Sequence, residues 1–338
     1  RATSEWCYRV MGRWPWALVV TVGFVTFLAT VSTAQAEKTD EYAEGVDLPD
    51  TSPWYTPSEV YAAAESIGQH GRDSYVEARY TFDVVWPLVY TLFFVVLVSW
   101  VFRRVTAPYA GPPERAPYHD LPPGVTFRSP FGILRHGYEG GQPVSHPLAG
   151  ASLEEIEAYP WPDAGWWDVS NLRGDALAWK REYAILGGDW SPVFHDIIDL
   201  LGMENMMVLM YEEPEIVHAV IRHVTDYYHA SSLRQFEAAG DAIDIYFIGN
   251  DIGSQTGPLM GEALFQAFFA PAFKRLADLG HDFGKKVMAH ICGAYAQLMP
   301  ALIACGIDAV QALQPVTKDM QPAFLKKHFG DRLCFNGC

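Results

Sequence analysis

Apolar residues follow two different patterns along this chain, and the change between the patterns divides it. Near the amino terminus they form two long runs that contain no charged residue, at 14–36 and 84–102. From about residue 181 onward they form short runs that alternate with longer amphipathic stretches. The long runs are typical of membrane spans, whereas the short alternating runs predict the strands and helices of a folded domain.

The two long runs predict a transmembrane hairpin over residues 1–104, with spans at about 14–34 and 83–102. Each run is long enough, since roughly 20 helical residues cross a bilayer core of about 30 Å. Arginines flank the hairpin on both outer sides, and the segment between the runs, 37–81, carries ten acidic and three basic residues. The positive-inside rule therefore places both flanks, and the rest of the chain, on the cytoplasmic side of a cell membrane.

Other interpretations of this amino-terminal part remain open. The first run is also a candidate signal peptide, because Ala34-Gln35-Ala36 is a small-residue cleavage site. The segment that contains Tyr55–Ala62 and Pro87–Tyr90 resembles part of a bacterial multi-span membrane protein of unknown function. Since the chain begins with an arginine and stops directly after a strand-like run, we expect a fragment or a fusion.

Residues 105–123 predict a linker, because six prolines fall between Pro108 and Pro123. Such a composition marks a domain boundary and a semi-rigid spacer. We expect the folded domain to occupy residues 124–338.

Within that domain, strand-like and helical patterns alternate, which is typical of the α/β class. The predicted strands are 183–186, 243–248, 285–290, 309–313 and 333–337, and the predicted helices are 193–201, 214–239, 262–279, 294–304 and 322–329. Nearly continuous apolar strands indicate a parallel sheet that helices cover on both faces. Since the strands lack a Gly-x-Gly-x-x-Gly turn, the pattern favours a TIM (β/α)8 barrel over a dinucleotide-binding fold. A closed barrel needs eight strands, so a partial barrel is predicted.

The most chemically specific stretch is His290-Ile291-Cys292-Gly293, which stands at the end of one of the predicted strands. Residues two apart on a strand point to the same side, so His290 and Cys292 would lie side by side. An imidazole and a thiolate are two of the ligands that zinc prefers, although a packed histidine and a buried cysteine would show the same spacing. Asp251, Gln314 and Cys338 also follow strands, where barrel active sites form. This placement favours a metal site.

Charge and cysteine content narrow the function further. The net charge of −16 and the pI near 5.0 argue against a nucleic-acid partner, which requires a basic surface. The five cysteines are an odd number, and four of them lie in the last 47 residues. This distribution favours thiols that serve metal binding or catalysis over a disulfide framework.

Several motifs in order resemble the uroporphyrinogen decarboxylase (URO-D) superfamily over residues 124–338. They are Gly249–Met260, Gly284–Gly293, Ala304–Asp308, Leu313–Pro315 and Phe329–Leu333. Within the superfamily, the chain is similar to the branch of corrinoid-linked methyltransferases. The resemblance implies a URO-D-type barrel, a small thiol as substrate, and a corrinoid protein as partner.

The same resemblance implies a ligand set and a division of roles. In the methyltransferase branch the matching His-x-Cys binds Zn2+, which assigns His290 and Cys292 as ligands, and the third ligand is a cysteine well downstream. Cys338 ends a predicted strand and is a further candidate ligand. Asp251 is expected to be the catalytic residue that orients the substrate or a bound ligand.

Asn250 and Gln314 are expected to bind the substrate, because both follow predicted strands.

Two alternatives remain open. Uroporphyrinogen decarboxylation, a step of porphyrin biosynthesis, would require no cofactor and would use a carboxylate such as Asp251 to hold pyrrole N–H groups. The arginine-rich motif and the first-helix tyrosine of those decarboxylases are missing, since an aliphatic residue stands near Ile198. The second alternative is an inactive, fused or fragmentary family member.

Overall fold

The computed structural model describes residues 102–117, 124–136 and 142–337, together with residues 22–23, 26, 65, 67–69 and 73. The chain divides into two compact units, Arg1–Phe102 and Arg103–Cys338. The predicted spans at 14–34 and 83–102 lie outside the described residues except at a few positions, so the membrane hairpin stays a prediction. Among the residues that are described, no helix combines the length and the apolar character needed to cross a membrane.

Two sheets make up the strand content of the described residues. The strands are β1 (Phe102–Arg104), β2 (Phe127–Arg128), β3 (Leu134–His136), β4 (Gln142–Pro143), β5 (Ala184–Gly187), β6 (Ile245–Gly249), β7 (Lys286–His290), β8 (Ala309–Gln311) and β9 (Cys334–Asn336). The larger sheet has the order β1-β5-β6-β7-β8-β9, and each strand from β5 to β9 is parallel to the next. The smaller sheet pairs β2, β3 and β4 antiparallel.

Helices connect the parallel strands. They are α1 (Leu153–Glu157), α2 (Leu172–Trp179), α3 (Val193–Leu201), α4 (Met203–Glu212), α5 (Pro214–Ala239), α6 (Glu262–Leu264), α7 (Ala270–Asp282), α8 (Met299–Ala304) and α9 (Pro322–Phe329), and a π-helical turn (Phe265–Phe269) joins α6 to α7. Parallel strands that are neighbours in both sequence and space, with helical crossovers between them, form the arrangement of a (β/α)8 barrel. The predicted α/β class is confirmed, and the five parallel strands are consistent with part of such a barrel.

The predicted helices that carry strong local signals have the predicted bounds. This holds for α3, α5 and α9; α5 has a proline in its first turn, where the missing N–H costs nothing. The strand predicted at 309–313 ends earlier, at Gln311, because Ala312 adopts a left-handed backbone with φ of 68°. The helix predicted at 294–304 starts with a 3-10 turn, Ala296–Leu298, before α8. Helices α2 and α4 were not predicted.

The described part of the predicted linker packs as part of the folded unit. Val105 and Ala107 are buried, the Val105 amide donates to the Leu186 carbonyl at 3.0 Å, and the Ala110 amide donates to the Trp166 carbonyl at 2.6 Å. These contacts extend the folded unit towards the amino terminus from the predicted start at residue 124. Proline content alone does not show whether a segment is a free spacer or covers an apolar surface.

The same aspartate contact closes two strand pairs at the amino-terminal edge of the sheet. Asp244 precedes β6, and its amide donates to the Ile185 carbonyl while its carboxylate accepts from the Ile185 amide, both at 2.9 Å. Asp308 precedes β8 and forms the same reciprocal pair with Val287, again with two distances of 2.9 Å. Lys180 binds Asp244 at 2.6 Å, which adds an ion pair.

Asp308 also gathers two side chains, Lys286 and His281, each at 2.8 Å. Burial opposes ionisation of this carboxyl group, but the hydrogen bonds from Lys286, His281 and the Val287 amide outweigh it and lower the pKa below the ordinary value of 3.8. Asp308 therefore stabilises the fold above its unfolded-state pKa, and this contribution disappears as the pH falls through the lower pKa of the folded state.

We predict that Asp308→Asn lowers the free energy of unfolding at pH 7 by about 1–3 kcal/mol, because charged hydrogen bonds are lost. Urea unfolding of the full chain, followed by tryptophan fluorescence, measures the change. The difference from the wild type should shrink below about pH 4, where the Asp308 carboxyl group of the unfolded chain begins to be protonated while that of the folded chain is still ionised. Asp331→Asn is the control, since Asp331 is exposed; equal effects of both substitutions would contradict the prediction.

Candidate metal centre

The pairing of β6 with β7 continues beyond the ends of both strands. Five residue pairs run in register, the last of them Gly249 with His290. The Asn250 amide then donates to the His290 carbonyl at 2.9 Å, and the Cys292 amide donates to Asp251 Oδ1 at 2.7 Å. This extension brings a carboxylate, an imidazole and a thiol together at the carboxyl-terminal edge of the sheet.

Three potential metal-binding atoms converge at this point. His290 Nε2 lies 3.4 Å from Cys292 Sγ and 3.7 Å from Asp251 Oδ1. One ligand atom from each of these residues lies within 4.8 Å of the other two. His290 and Cys292 therefore lie side by side as the sequence predicts.

The three side chains fit the requirements of zinc. Zinc binds imidazole nitrogen and carboxylate oxygen at about 2.0–2.2 Å and thiolate sulfur at about 2.3 Å, in tetrahedral geometry. Those bond lengths place neighbouring ligand atoms roughly 3.3–3.6 Å apart. The observed separations of 3.4 and 3.7 Å lie in or near this interval, so little rearrangement would be needed to bind the ion.

The comparisons with known proteins bear on this segment. Residues 192–337 match the sequence model of the uroporphyrinogen decarboxylase (URO-D) family. The URO-D match includes β6 to β9 and all three converging residues, and it agrees with the resemblance predicted from the motifs over that part of the chain.

One solved structure that the chain resembles is a methyltransferase from Methanosarcina mazei, at 16% sequence identity and a TM-score of 0.46. The similarity covers 62% of this chain and 60% of the methyltransferase. No curated protein matches the sequence.

The pKa values of Asp251 and Cys292 shift in opposite directions. Burial raises the pKa of Cys292 to about 11, and the negative charge of Asp251 adds to the shift. Burial also opposes ionisation of Asp251, but the His195 imidazole and the Cys292 amide outweigh it, so the pKa of Asp251 falls to about 2. At neutral pH the carboxylate is charged and the thiol keeps its proton. A bound cation would reverse the second of these, because a metal-bound thiol is deprotonated.

His290 is oriented by two neighbours. Its Nδ1 forms a short hydrogen bond with Gln311 Oε1; because a carbonyl oxygen can only accept, Nδ1 carries a proton, and in the neutral imidazole Nε2 then keeps a lone pair for a metal. The Trp190 ring lies 5.4 Å from the imidazole, centroid to centroid. Trp190 reaches this position because Gly249 has no side chain: a Cβ at Gly249 would lie 1.8 Å from the indole.

The two loops that carry the converging residues touch through glycines. A Cβ on Gly253 would lie 2.5 Å from the Cys292 carbonyl oxygen, and one on Gly293 would lie 2.4 Å from the carbonyl carbon of Gly253. Gly293 also adopts a φ of +90°, which other residues rarely do. Past the glycines, the Ala294 amide donates to the Ser254 carbonyl at 2.7 Å. This close approach holds Asp251 and Cys292 next to each other.

The remaining predicted site residues differ in their placement. Asn250 is buried, its Oδ1 accepts from the Phe194 amide at 2.8 Å, and its Nδ2 donates to the Ser191 carbonyl at 3.0 Å. This amide therefore fastens the start of α3 to the end of β6, and its predicted contact with substrate stays a prediction. Gln314 lies in the loop after β8, and its role is likewise untested. Cys338 lies outside the described residues.

The sequence interpretation missed two residues of this site. His195, near the start of α3, places its Nε2 3.6 Å from Asp251 Oδ2. Gln311, the last residue of β8, hydrogen-bonds His290 Nδ1 through its Oε1. The available signal for His195 was a lone imidazole in the apolar start of a helix that follows β5. For Gln311 it was a polar residue at the end of an apolar strand.

We predict that Gly293→Ala lowers the free energy of unfolding by about 2 kcal/mol or more, because it combines an unfavourable φ with a clash against Gly253. Gly284→Ala is the matched control: its φ is +70°, but nothing lies within 4 Å of an added Cβ. We expect a loss of about 1 kcal/mol there. Urea unfolding measures both, and equal losses would show that the glycine contact between the loops contributes no stability.

Proposed function

We propose that the segment that matches the URO-D family, residues 192–337, belongs to a zinc-dependent methyltransferase. This enzyme would move a methyl group between a corrinoid protein and a small thiol. The observation that carries the proposal is the 3.4 Å separation of His290 Nε2 and Cys292 Sγ at the carboxyl-terminal edge of a parallel sheet. The URO-D match over these residues supports the choice of family. The zinc ion, the corrinoid partner and the thiol substrate are each part of the proposal.

His290 and Cys292 would hold the ion, and their neighbours would keep the pair in position. Gln311 keeps the lone pair of His290 Nε2 directed at the site, and the contact with Trp190 restricts rotation of the imidazole. When bound, zinc would lower the pKa of a substrate thiol and keep it nucleophilic at neutral pH. Asp251 adds a negative charge beside the ion, which offsets part of the positive charge.

The chemical step balances without an oxidant. The substrate thiol would give its proton to water, its sulfur would form a bond to the methyl carbon, and the corrinoid partner would keep the electron pair of the bond that the methyl group leaves. The corrinoid would belong to a separate protein, since the chain contributes the thiol-activating half of the reaction.

The location of this activity is also a proposal. With spans at 14–34 and 83–102, the enzyme domain would be attached to the cell membrane and face the cytoplasm. A net charge of −16 disfavours a nucleic-acid partner.

Porphyrinogen decarboxylation is the second candidate. The observation in its favour is Asp251, a half-exposed and ionised carboxylate in the loop after β6 that could accept hydrogen bonds from pyrrole N–H groups. Against it, the arginine-rich motif and the first-helix tyrosine of those decarboxylases are missing from this sequence. The decarboxylase would need no metal.

We predict that the full chain, purified in detergent, binds about one zinc per chain and that His290→Ala and Cys292→Ser each remove most of it. Elemental analysis after dialysis measures the metal. Cys334→Ser is the matched control, because Cys334 is exposed and free, and it should keep the zinc. If the wild type holds no more zinc than the His290→Ala, Cys292→Ser double variant, the zinc site is refuted.

We predict that the zinc-loaded chain transfers the methyl group of methylcobalamin to a simple alkyl thiol and that the metal-stripped chain does not. Mass spectrometry of the thioether measures the reaction. Turnover of a porphyrinogen by the stripped protein would favour the decarboxylase instead. A third outcome is a chain that binds no zinc, catalyses neither methyl transfer nor decarboxylation, and binds a hydrophobic dye strongly. This outcome would indicate an inactive or fragmentary family member.

A further inference from the structure

The proposed zinc site has two assigned ligands, and zinc sites that act on a substrate use three protein ligands and leave one position open. We propose that Asp251 is the third ligand and that His195 positions its carboxylate. The inference rests on the proposed zinc site and assigns a new role to a carboxylate that the sequence interpretation treated as substrate-orienting.

Two short distances place Asp251 beside the two assigned zinc ligands. Asp251 Oδ1 lies 3.7 Å from His290 Nε2, which in turn lies 3.4 Å from Cys292 Sγ. All three ligand atoms lie within 4.8 Å of one another, which leaves room for one small ion but not for a substrate molecule between the groups. Among the residues that the structure describes, this is the group of histidine, cysteine and acidic side chains whose ligand atoms converge in this way.

The backbone of Cys292 also holds the Asp251 carboxylate in place. The Cys292 amide donates to Asp251 Oδ1 at 2.7 Å, so the residue that supplies the sulfur also holds the carboxylate. An oxygen of a carboxylate has two lone pairs, and it can accept this hydrogen bond and still bind a cation. The glycine contact between Gly253 and Gly293 keeps the two loops in this relation.

His195 lies beside the other oxygen of the Asp251 carboxylate. Its Nε2 lies 3.6 Å from Asp251 Oδ2, the carboxylate oxygen that does not face His290. Its other nitrogen, Nδ1, is buried and has no hydrogen-bond partner among the described residues. The start of α3 is fixed by the hydrogen bond from the Phe194 amide to Asn250. Carboxylates that bind metals are commonly held by outer-shell partners, and an imidazole 3.6 Å from Oδ2 is placed to serve as one, so His195 is a positioning residue.

Zinc affinity of the full chain tests this assignment without turnover. Asp251→Asn keeps the size of the side chain and an oxygen for the Cys292 amide, but it removes the charge. We expect it to lower zinc affinity by roughly 100-fold or more, and His195→Gln by about 10-fold to 100-fold. Competition with a chelator of known affinity measures both, and circular dichroism checks that each variant is folded.

Asp308→Asn is the matched control, because it removes another carboxylate that accepts a backbone amide across parallel strands. It should keep the wild-type zinc affinity despite its lower stability. Unchanged affinity and an unchanged cobalt(II) absorption spectrum in Asp251→Asn, with loss of metal in His290→Ala, would refute the assignment and leave the zinc site intact. If the wild type binds no zinc, both proposals fail.

X-ray absorption of the zinc-loaded wild type gives a test that does not depend on folded variants. We expect one sulfur at about 2.3 Å and the remaining ligands to be nitrogen or oxygen, in a buffer free of thiols. Two sulfurs would assign the third ligand to another cysteine and overturn the role of Asp251.

Discussion

The parallel register of β6 and β7 is the constraint on which the site depends. Five residue pairs lead to Gly249 opposite His290, and two more hydrogen bonds carry the pairing into the following loops. A shift by one residue would turn His290 to the other face of the sheet and separate it from Asp251, because side chains alternate along a strand. The backbone register of β6 and β7 therefore sets which side chains meet at the site.

The two edges of this sheet do different work. At the amino-terminal edge, Asp244 and Asp308 each tie a strand to its neighbour with paired 2.9 Å hydrogen bonds, and their carboxylates are satisfied by lysine. At the carboxyl-terminal edge, Asp251 makes a related contact with a backbone amide but faces two imidazoles. The same interaction that locks the fold at one edge presents a charged group at the other.

Local signals explain what the sequence could predict. The bounds of α3 and α5 follow from prolines and glycines next to them, and the closeness of His290 and Cys292 follows from the two-residue period of a strand. The distance from Asp251 to His290 required the register between two strands that are far apart in sequence. His195 and Gln311 were missed for the same reason, since each meets the site from another strand–helix unit. Proline content predicted a semi-rigid spacer at 105–123, and it gave no sign that Val105 and Ala107, in the described part of that segment, are buried.

The glycine contact between the loops has a thermodynamic consequence. Gly253 and Gly293 allow the two loop backbones to approach closely, and the Ala294–Ser254 hydrogen bond holds them together. A site assembled before its ligand arrives loses little conformational freedom on binding. The enthalpy of any new bonds would then be retained as affinity instead of being consumed in ordering the loops.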